Sequence, residues 1–141
     1  MWGNFADACK AQTAYYRGMR YGKPKYNNKK IEKYGHKFDS LLECAIFEML
    51  AVWQETGEIS DLKHHPGTIH LTQARIGFRP DFSWTNVKDG TTVWGEAKGK
   101  ETDVYKIKKK LWAFYGPGIL LVWTGKHSAF KLTETLIPMK H

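Results

Sequence analysis

Glu96 and Lys98 stand either side of one alanine in TTVWGEAKGKETD, residues 91–103, and Asp81 lies fifteen residues before Glu96 in FRPDFSW. Two carboxylates that meet can hold a hard divalent cation. A neighbouring ammonium can orient a water molecule or neutralise charge that grows as a bond breaks. That combination suits hydrolysis of a phosphodiester. With eight Glu and eighteen Lys in 141 residues, about one Glu-x-Lys arises by chance. An exposed strand face also carries such charges, so the motif gains meaning only if the fold brings Asp81 to it.

Turn arithmetic makes that meeting testable. FRPDFSWTNV and TTVWGEAKG read as strands joined through Asp89-Gly90, a strong hairpin signal. With Asp89 and Gly90 as the two loop residues, Lys88 pairs with Thr91, Ser83 faces Glu96 and Asp81 faces Lys98. Alternation puts Glu96 and Lys98 on one face, and opposed residues share a face, so Asp81 joins them. A one-residue change in loop length would send Asp81 to the other side. Pro80 confines its end of the strand to an edge or a ladder terminus.

The flanking elements complete an α/β sandwich around a small mixed sheet. FDSLLECAIFEMLAVWQETGE, residues 38–58, is the clearest helix. Asp39 or Ser40 caps it, Ser40-x-x-Glu43 has capping-box spacing, and Gly57 closes it. Its expected buried stripe is Leu42, Ile46, Met49 and Trp53, broadened by Ala45 and Val52. Glu43 sits in the first turn, where capping or the helix dipole alone would explain a carboxylate. EISDLKHH reads as a strand, Pro66-Gly67 as a turn and TIHLTQ as its return. Thr102 caps a second helix, DVYKIKKKLWAFYG, with Val104, Ile107, Leu111 and Phe114 or Tyr115 expected inside and Lys106, Lys109 and Lys110 outside. ILLVWTG has the length of a buried strand, and the tail AFKLTETLIPMKH adds a short one.

At 141 residues and 42% hydrophobic the chain is expected to be one domain, with residues 1–37 as an N-terminal segment and basic arm and 38–141 as the core. Residues 4–17 suggest a short Ala-rich helix capped by Asn4. Twenty-two Lys and Arg against fourteen Asp and Glu leave a formal charge of +8, which favours a polyanionic partner such as nucleic acid. Residues 17–37 concentrate it: Arg17, Arg20, Lys23, Lys25, Lys29, Lys30, Lys33 and Lys37 surround a single acid, with Tyr21, Tyr26 and Tyr34 interleaved. Lysines neutralise phosphates and tyrosines offer faces to bases, although a solvated linker has the same composition. Lys100, Lys106, Lys109 and Lys110 are further candidates for phosphate contact.

Cys9 and Cys44 exclude a disulfide framework or a four-cysteine zinc site and fit a reducing compartment. The start lacks a basic leader with an apolar block, and no apolar run is long enough for a membrane helix. The expectation is a cytoplasmic protein without a membrane partner. His64, His65 and His70 have no carboxylate or cysteine at a recognisable zinc spacing, and His36 falls within the basic arm. They are read as surface, DNA-contacting or core histidines.

RPDF followed by GEAK, with a helical Glu upstream, resembles the PD-(D/E)XK nuclease superfamily. Pro80-Asp81 corresponds to its first element and Glu96-Ala97-Lys98 to its second. Residues 25–125 look like a phage-encoded group related to archaeal Holliday-junction resolvases. The resemblance implies a restriction-endonuclease-like αβββαβ core with a small mixed sheet flanked by helices. It implies a homodimer that binds four-way DNA junctions and nicks two strands symmetrically with Mg2+, or Mn2+ in its place, in a bacterial host cytoplasm, with no small-molecule substrate. By the same resemblance Asp81, Glu96 and Glu43 would bind metal, Lys98 would position the attacking water, and Ser40 would lie near the phosphate. A nickase, a duplex or flap endonuclease, and a non-catalytic DNA-binding module on the same scaffold are the alternatives.

Overall fold

The computed structural model describes residues 30–139. In chain order the elements are β1 (Ile31–Lys33), β2 (His36–Phe38), α1 (Leu41–Glu55), β3 (Ile59–His64), β4 (Ile69–His70), β5 (Gly77–Phe78), β6 (Phe82–Asn86), β7 (Thr92–Ala97), α2 (Asp103–Tyr115), β8 (Ile119–Lys126) and β9 (Ala129–Leu136). One five-stranded sheet runs β3-β6-β7-β8-β9. β3, β6 and β7 pair antiparallel, β7 and β8 pair parallel, and β9 returns antiparallel to β8. A parallel pair needs a crossover, and α2 supplies it. The described residues are thus α/β, with two helices and a mixed sheet.

The first helix begins where Ser40 turns its hydroxyl back to accept the Glu43 N–H at 3.1 Å. It ends at Gly57, whose φ of 86° lets the Gly57 and Glu58 N–H groups reach the carbonyls of Gln54 and Trp53. Leu42, Ile46, Phe47, Leu50 and Ala51 are buried, among Phe38, Ile59, Phe82, Trp84 and Trp123. Met49 and Trp53, expected inside, are only half-buried. The inward face is turned toward Phe47 because the β1–β2 hairpin covers a second side of the helix, with Tyr34 and Phe38 against the Phe47 ring. Burial of Phe47 contributes about 2–3 kcal/mol.

That hairpin moves the boundary of the basic arm. Ile31 pairs with Phe38 and both are buried, so residues 31–37 belong to the core rather than to an irregular arm. The expected helix over 4–17 lies outside the described residues. TIHLTQ does not return along β3; β4 pairs instead with β5, leaving Arg79, Pro80 and Asp81 as a link into β6. The tail forms a strand of eight residues, longer than expected.

The second helix is turned from its expected orientation, although Leu111 packs against the core and Lys106 and Lys110 are exposed as expected. Val104 and Ile107 are 62% and 59% exposed, whereas Tyr105 and Trp112 are the buried residues. Two aromatics seven positions apart remove more apolar area than the aliphatic stripe could. Trp112 packs against Phe78 and Trp94, and its indole N–H donates to the Gly118 carbonyl at 2.8 Å.

Candidate active site

The β6–β7 hairpin has a four-residue loop, not two. Asn86 N–H reaches Thr91 O and Gly90 N–H reaches Asn86 O, each at 2.8 Å, and the ladder pairs Phe82 with Gly95 and Ser83 with Trp94. Every partner is therefore shifted by two residues from the expected register, and Asp81 comes level with Glu96 rather than Lys98. A shift of two preserves the face. The carboxylates meet although the turn differs: Asp81 Oδ2 accepts the Ala97 N–H at 2.8 Å. Fully buried Pro80 fixes the approach, and the Asp81 carbonyl accepts the His65 N–H at 2.8 Å.

Glu96 is held by a close fit at its neighbour. A Cβ on Gly95 would come within 2.8 Å of the Trp84 ring and 2.9 Å of the Trp123 ring, so only glycine lets these rings close over the strand. Glu96 itself is buried, and its Oε2 has no hydrogen-bond partner. Burial pushes its pKa up to about 7. Burial also drives Asp81 well above the usual carboxylate range, and the charges of Glu96 and Glu43 push it further. An orphaned buried carboxylate oxygen beside a second carboxyl that resists ionisation is a donor set suited to a divalent cation.

Lys98 continues the β7 ladder by donating its N–H to Trp123 O at 2.9 Å. Its ammonium lies 4.2 Å from the centre of the Tyr105 ring, and its charge acts on Glu96. The Tyr105 hydroxyl is buried without a hydrogen-bond partner, and burial, then the charge of Glu96, holds its pKa above the usual phenol range. Sequence reasoning missed Tyr105 because it falls off the aliphatic stripe of α2. A phenol seven residues after the Glu-x-Lys lysine, near the start of a helix, was the available signal.

Glu43 completes the group from α1, facing inward in line with Phe47 and Leu50. Its Oε2 accepts the Asp39 N–H at 2.5 Å, the capping role expected of its position. Its Oε1 lies 2.8 Å from His65 Nε2 and 3.2 Å from His64 Nε2. Burial raises the Glu43 pKa, but the bonds from His64, the Asp39 backbone and His65 outweigh it and hold the group below its ordinary value. The sequence reading of both as surface, DNA-contacting or core histidines fits the buried His64 but does not place either against Glu43. Their convergence depends on a bulge and on one backbone angle. Ser60 pairs with Thr85 and Lys63 with Ser83, so β3 carries an extra residue, with Asp61 at φ 54°. The bulge turns His64 inward. His65 then adopts φ 53°, which swings the next ring to the same side, 3.7 Å from that of His64.

Ser40 acts as the helix cap, one turn from these groups. An open cleft lined by Asp39, His65, Gly67, Arg79, Pro80 and Asp81 gives access to the acids. Among the expected phosphate contacts, Lys30, Lys37, Lys100, Lys106 and Lys110 are exposed and Lys33 is half-buried. Arg17, Arg20, Lys23, Lys25 and Lys29 lie outside the described residues. Lys109 is not available: it donates to Glu101 at 2.7 Å and Glu134 at 2.8 Å. His36, expected in the arm, points inward instead, against Phe47 and within 3.2 Å of His64. Burial, then the nearby His64 and His65, lowers its pKa. His70 is exposed beside Arg75.

A family model described as "Protein of unknown function (DUF1064)" matches residues 23–134. The chain belongs to the DUF1064 family. The matched span contains Glu43, His64, His65, Asp81, Glu96 and Lys98, and the strands and helices of the described residues lie within it up to the middle of β9. No curated protein matches the DUF1064 chain. Among the described residues, no helix is long and apolar enough to cross a membrane.

Proposed function

We propose that this protein is a divalent-metal-dependent DNA endonuclease of the PD-(D/E)XK type, acting on branched DNA. The observation that carries the reading is the convergence of Glu43 from α1, Asp81 from the link into β6 and Glu96 from β7, with Lys98 beside Glu96. The order helix, three antiparallel strands, helix, parallel strand supports the superfamily core, and the charge of +8 supports a nucleic-acid substrate.

Asp81 and Glu96 would hold Mg2+ or Mn2+ with Glu43 at their border, and the ion would supply charge stabilisation at the phosphate and a more acidic water. The chain's own residues do the rest. Lys98 carries a positive charge at the mouth of the acid group, where it orients the attacking water or neutralises the phosphorane. Tyr105 holds the lysine stem in place. Exposed Lys100, Lys106 and Lys110 offer phosphate contacts on the α2 side, and the basic tract before β1 adds others. A four-way junction is the proposed substrate, cut by a homodimer whose two sites face symmetric strands.

The test compares a labelled four-way junction with a matched linear duplex, with and without magnesium, beside Glu96→Ala. Metal-dependent cutting of the junction alone, lost in the variant, is expected. Cutting of both substrates would leave a nuclease without junction selectivity. Binding without cutting under any metal would reduce the protein to a DNA-binding module.

A further inference from the structure

We propose that Glu43, His64 and His65 form a binding site for a transition-metal ion of the zinc class, which adjoins the cation position at Asp81 and Glu96 through Glu43. The site stands on its own donor geometry and does not require the nuclease reading. One oxygen and two imidazole nitrogens lie within 4.8 Å of one another. The individual separations from Glu43 Oε1, 2.8 Å to His65 Nε2 and 3.2 Å to His64 Nε2, are close to those between adjacent ligands on a metal with bonds of about 2.0–2.1 Å. A nitrogen-rich donor set selects zinc or cobalt over magnesium, which prefers oxygen alone.

The surroundings supply what such a site requires. His64 has a partner for its other ring nitrogen: Nδ1 lies 3.2 Å from His36 Nδ1. With the proton on His64 Nδ1, its Nε2 is a lone pair turned toward the Glu43 carboxylate, the tautomer that binds metal. The Asp39 N–H fixes the far oxygen of Glu43 and so sets the orientation of the near one. The His64 side chain is 3% exposed and that of His65 44%, so the cluster is anchored on one side and open to the cleft on the other. There the Asp39 carboxylate, 3.9 Å from His65 Nε2, is within reach as a fourth donor. Three protein ligands with one open direction is the pattern of zinc sites that exchange ligands.

Metal-stripped protein titrated with Co2+ tests this by visible absorption, with Zn2+ displacing the colour. Wild type should take up about one equivalent per chain in a site that gives ligand-field bands in the visible, and Zn2+ should raise its melting temperature. His65→Ala, a half-exposed position whose loss the fold should tolerate, should weaken binding at least about tenfold and remove the zinc-dependent rise. His36→Phe should leave the bands in place but weaken binding, which a merely coincidental histidine pair would not do. The proposal fails if no Co2+ binds or if His65→Ala binds as tightly as wild type. Cleavage assays do not enter the comparison, so failure of the endonuclease reading would leave this result interpretable.

Discussion

Asp81 and Glu96 reach one another through a regular ladder, whereas His64 and His65 reach Glu43 because a ladder is interrupted. In the β6–β7 hairpin, strand alternation alone decides which side chains meet, and a register shifted by two still delivers the carboxylates to the same face. At the end of β3 alternation would separate neighbouring residues. A bulge at Asp61 and a positive φ at His65 bring both rings to one side. Regular pairing gives a site that survives changes of even length in a distant turn. Irregular backbone brings together groups that no periodic strand could, at the cost of conformations worth about 1–2 kcal/mol each.

Five variants would break or sharpen that contrast. The largest effect is expected at the regular half. Lys98→Ala should lower cleavage by about a hundredfold or more while leaving junction binding nearly unchanged, read by single-turnover rates beside a gel-shift titration. A comparable loss of binding would remove its role at the reacting phosphate.

Glu96→Gln isolates the cost of burying the carboxylate. The folded-state pKa of Glu96 is raised to about 7, so the charged form is penalised in the fold and the penalty grows as pH rises from about 4.5 through 7. Without metal, the variant should be more stable than wild type by on the order of 2–3 kcal/mol at pH 8, with the difference gone near pH 4. Added Mg2+ should stabilise wild type more than the variant. Equal melting temperatures at pH 8 would mean that the acid is solvated. The regular half of the site would then not be strained.

The surface lysines separate binding from folding. Replacing Lys106 and Lys110 together should lower the salt slope of DNA binding by up to about two units, whereas Lys109→Ala should leave the slope alone and destabilise the fold by about 1 kcal/mol. A slope change at Lys109 would show that its bonds to Glu101 and Glu134 open on DNA.

The smallest effect is at the bulge. Asp61→Gly relieves a left-handed backbone conformation and should stabilise the protein by about 0.5–1 kcal/mol in thermal melts. Destabilisation would mean that the Asp61 side chain, not the backbone angle, holds the bulge.

Much of this arrangement could be read from residue order, and the parts that could not share a cause. The first helix, its Ser40 cap and its Gly57 terminus follow from local rules that act within a few residues. The faces of Asp81, Glu96 and Lys98 were legible because a face depends only on parity; the register itself was not, since Asn86 and Thr91 close a longer loop than Asp89-Gly90 suggests. The α2 stripe was misassigned because spacing counts positions and not area, so Tyr105 and Trp112 outweigh Val104 and Ile107. His64 and His65 were missed because their carboxylate lies 21 residues upstream on a helix. Neither the bulge nor the backbone angle that aims them has a signature in residue type.

Lys109, caught between Glu101 and Glu134, also lies 5.8 Å from the centre of the Tyr105 ring, the ring that Lys98 meets at 4.2 Å. The far end of β9 is thereby mechanically linked to the lysine of the Glu-x-Lys motif: Glu134 holds Lys109, Lys109 borders Tyr105, and Tyr105 seats Lys98. A clip that removed the chain from residue 134 onward would leave every acid of the site untouched. It would still loosen the aromatic seat beneath Lys98, so the last strand works as a tensioner on a group some 36 positions earlier in the chain.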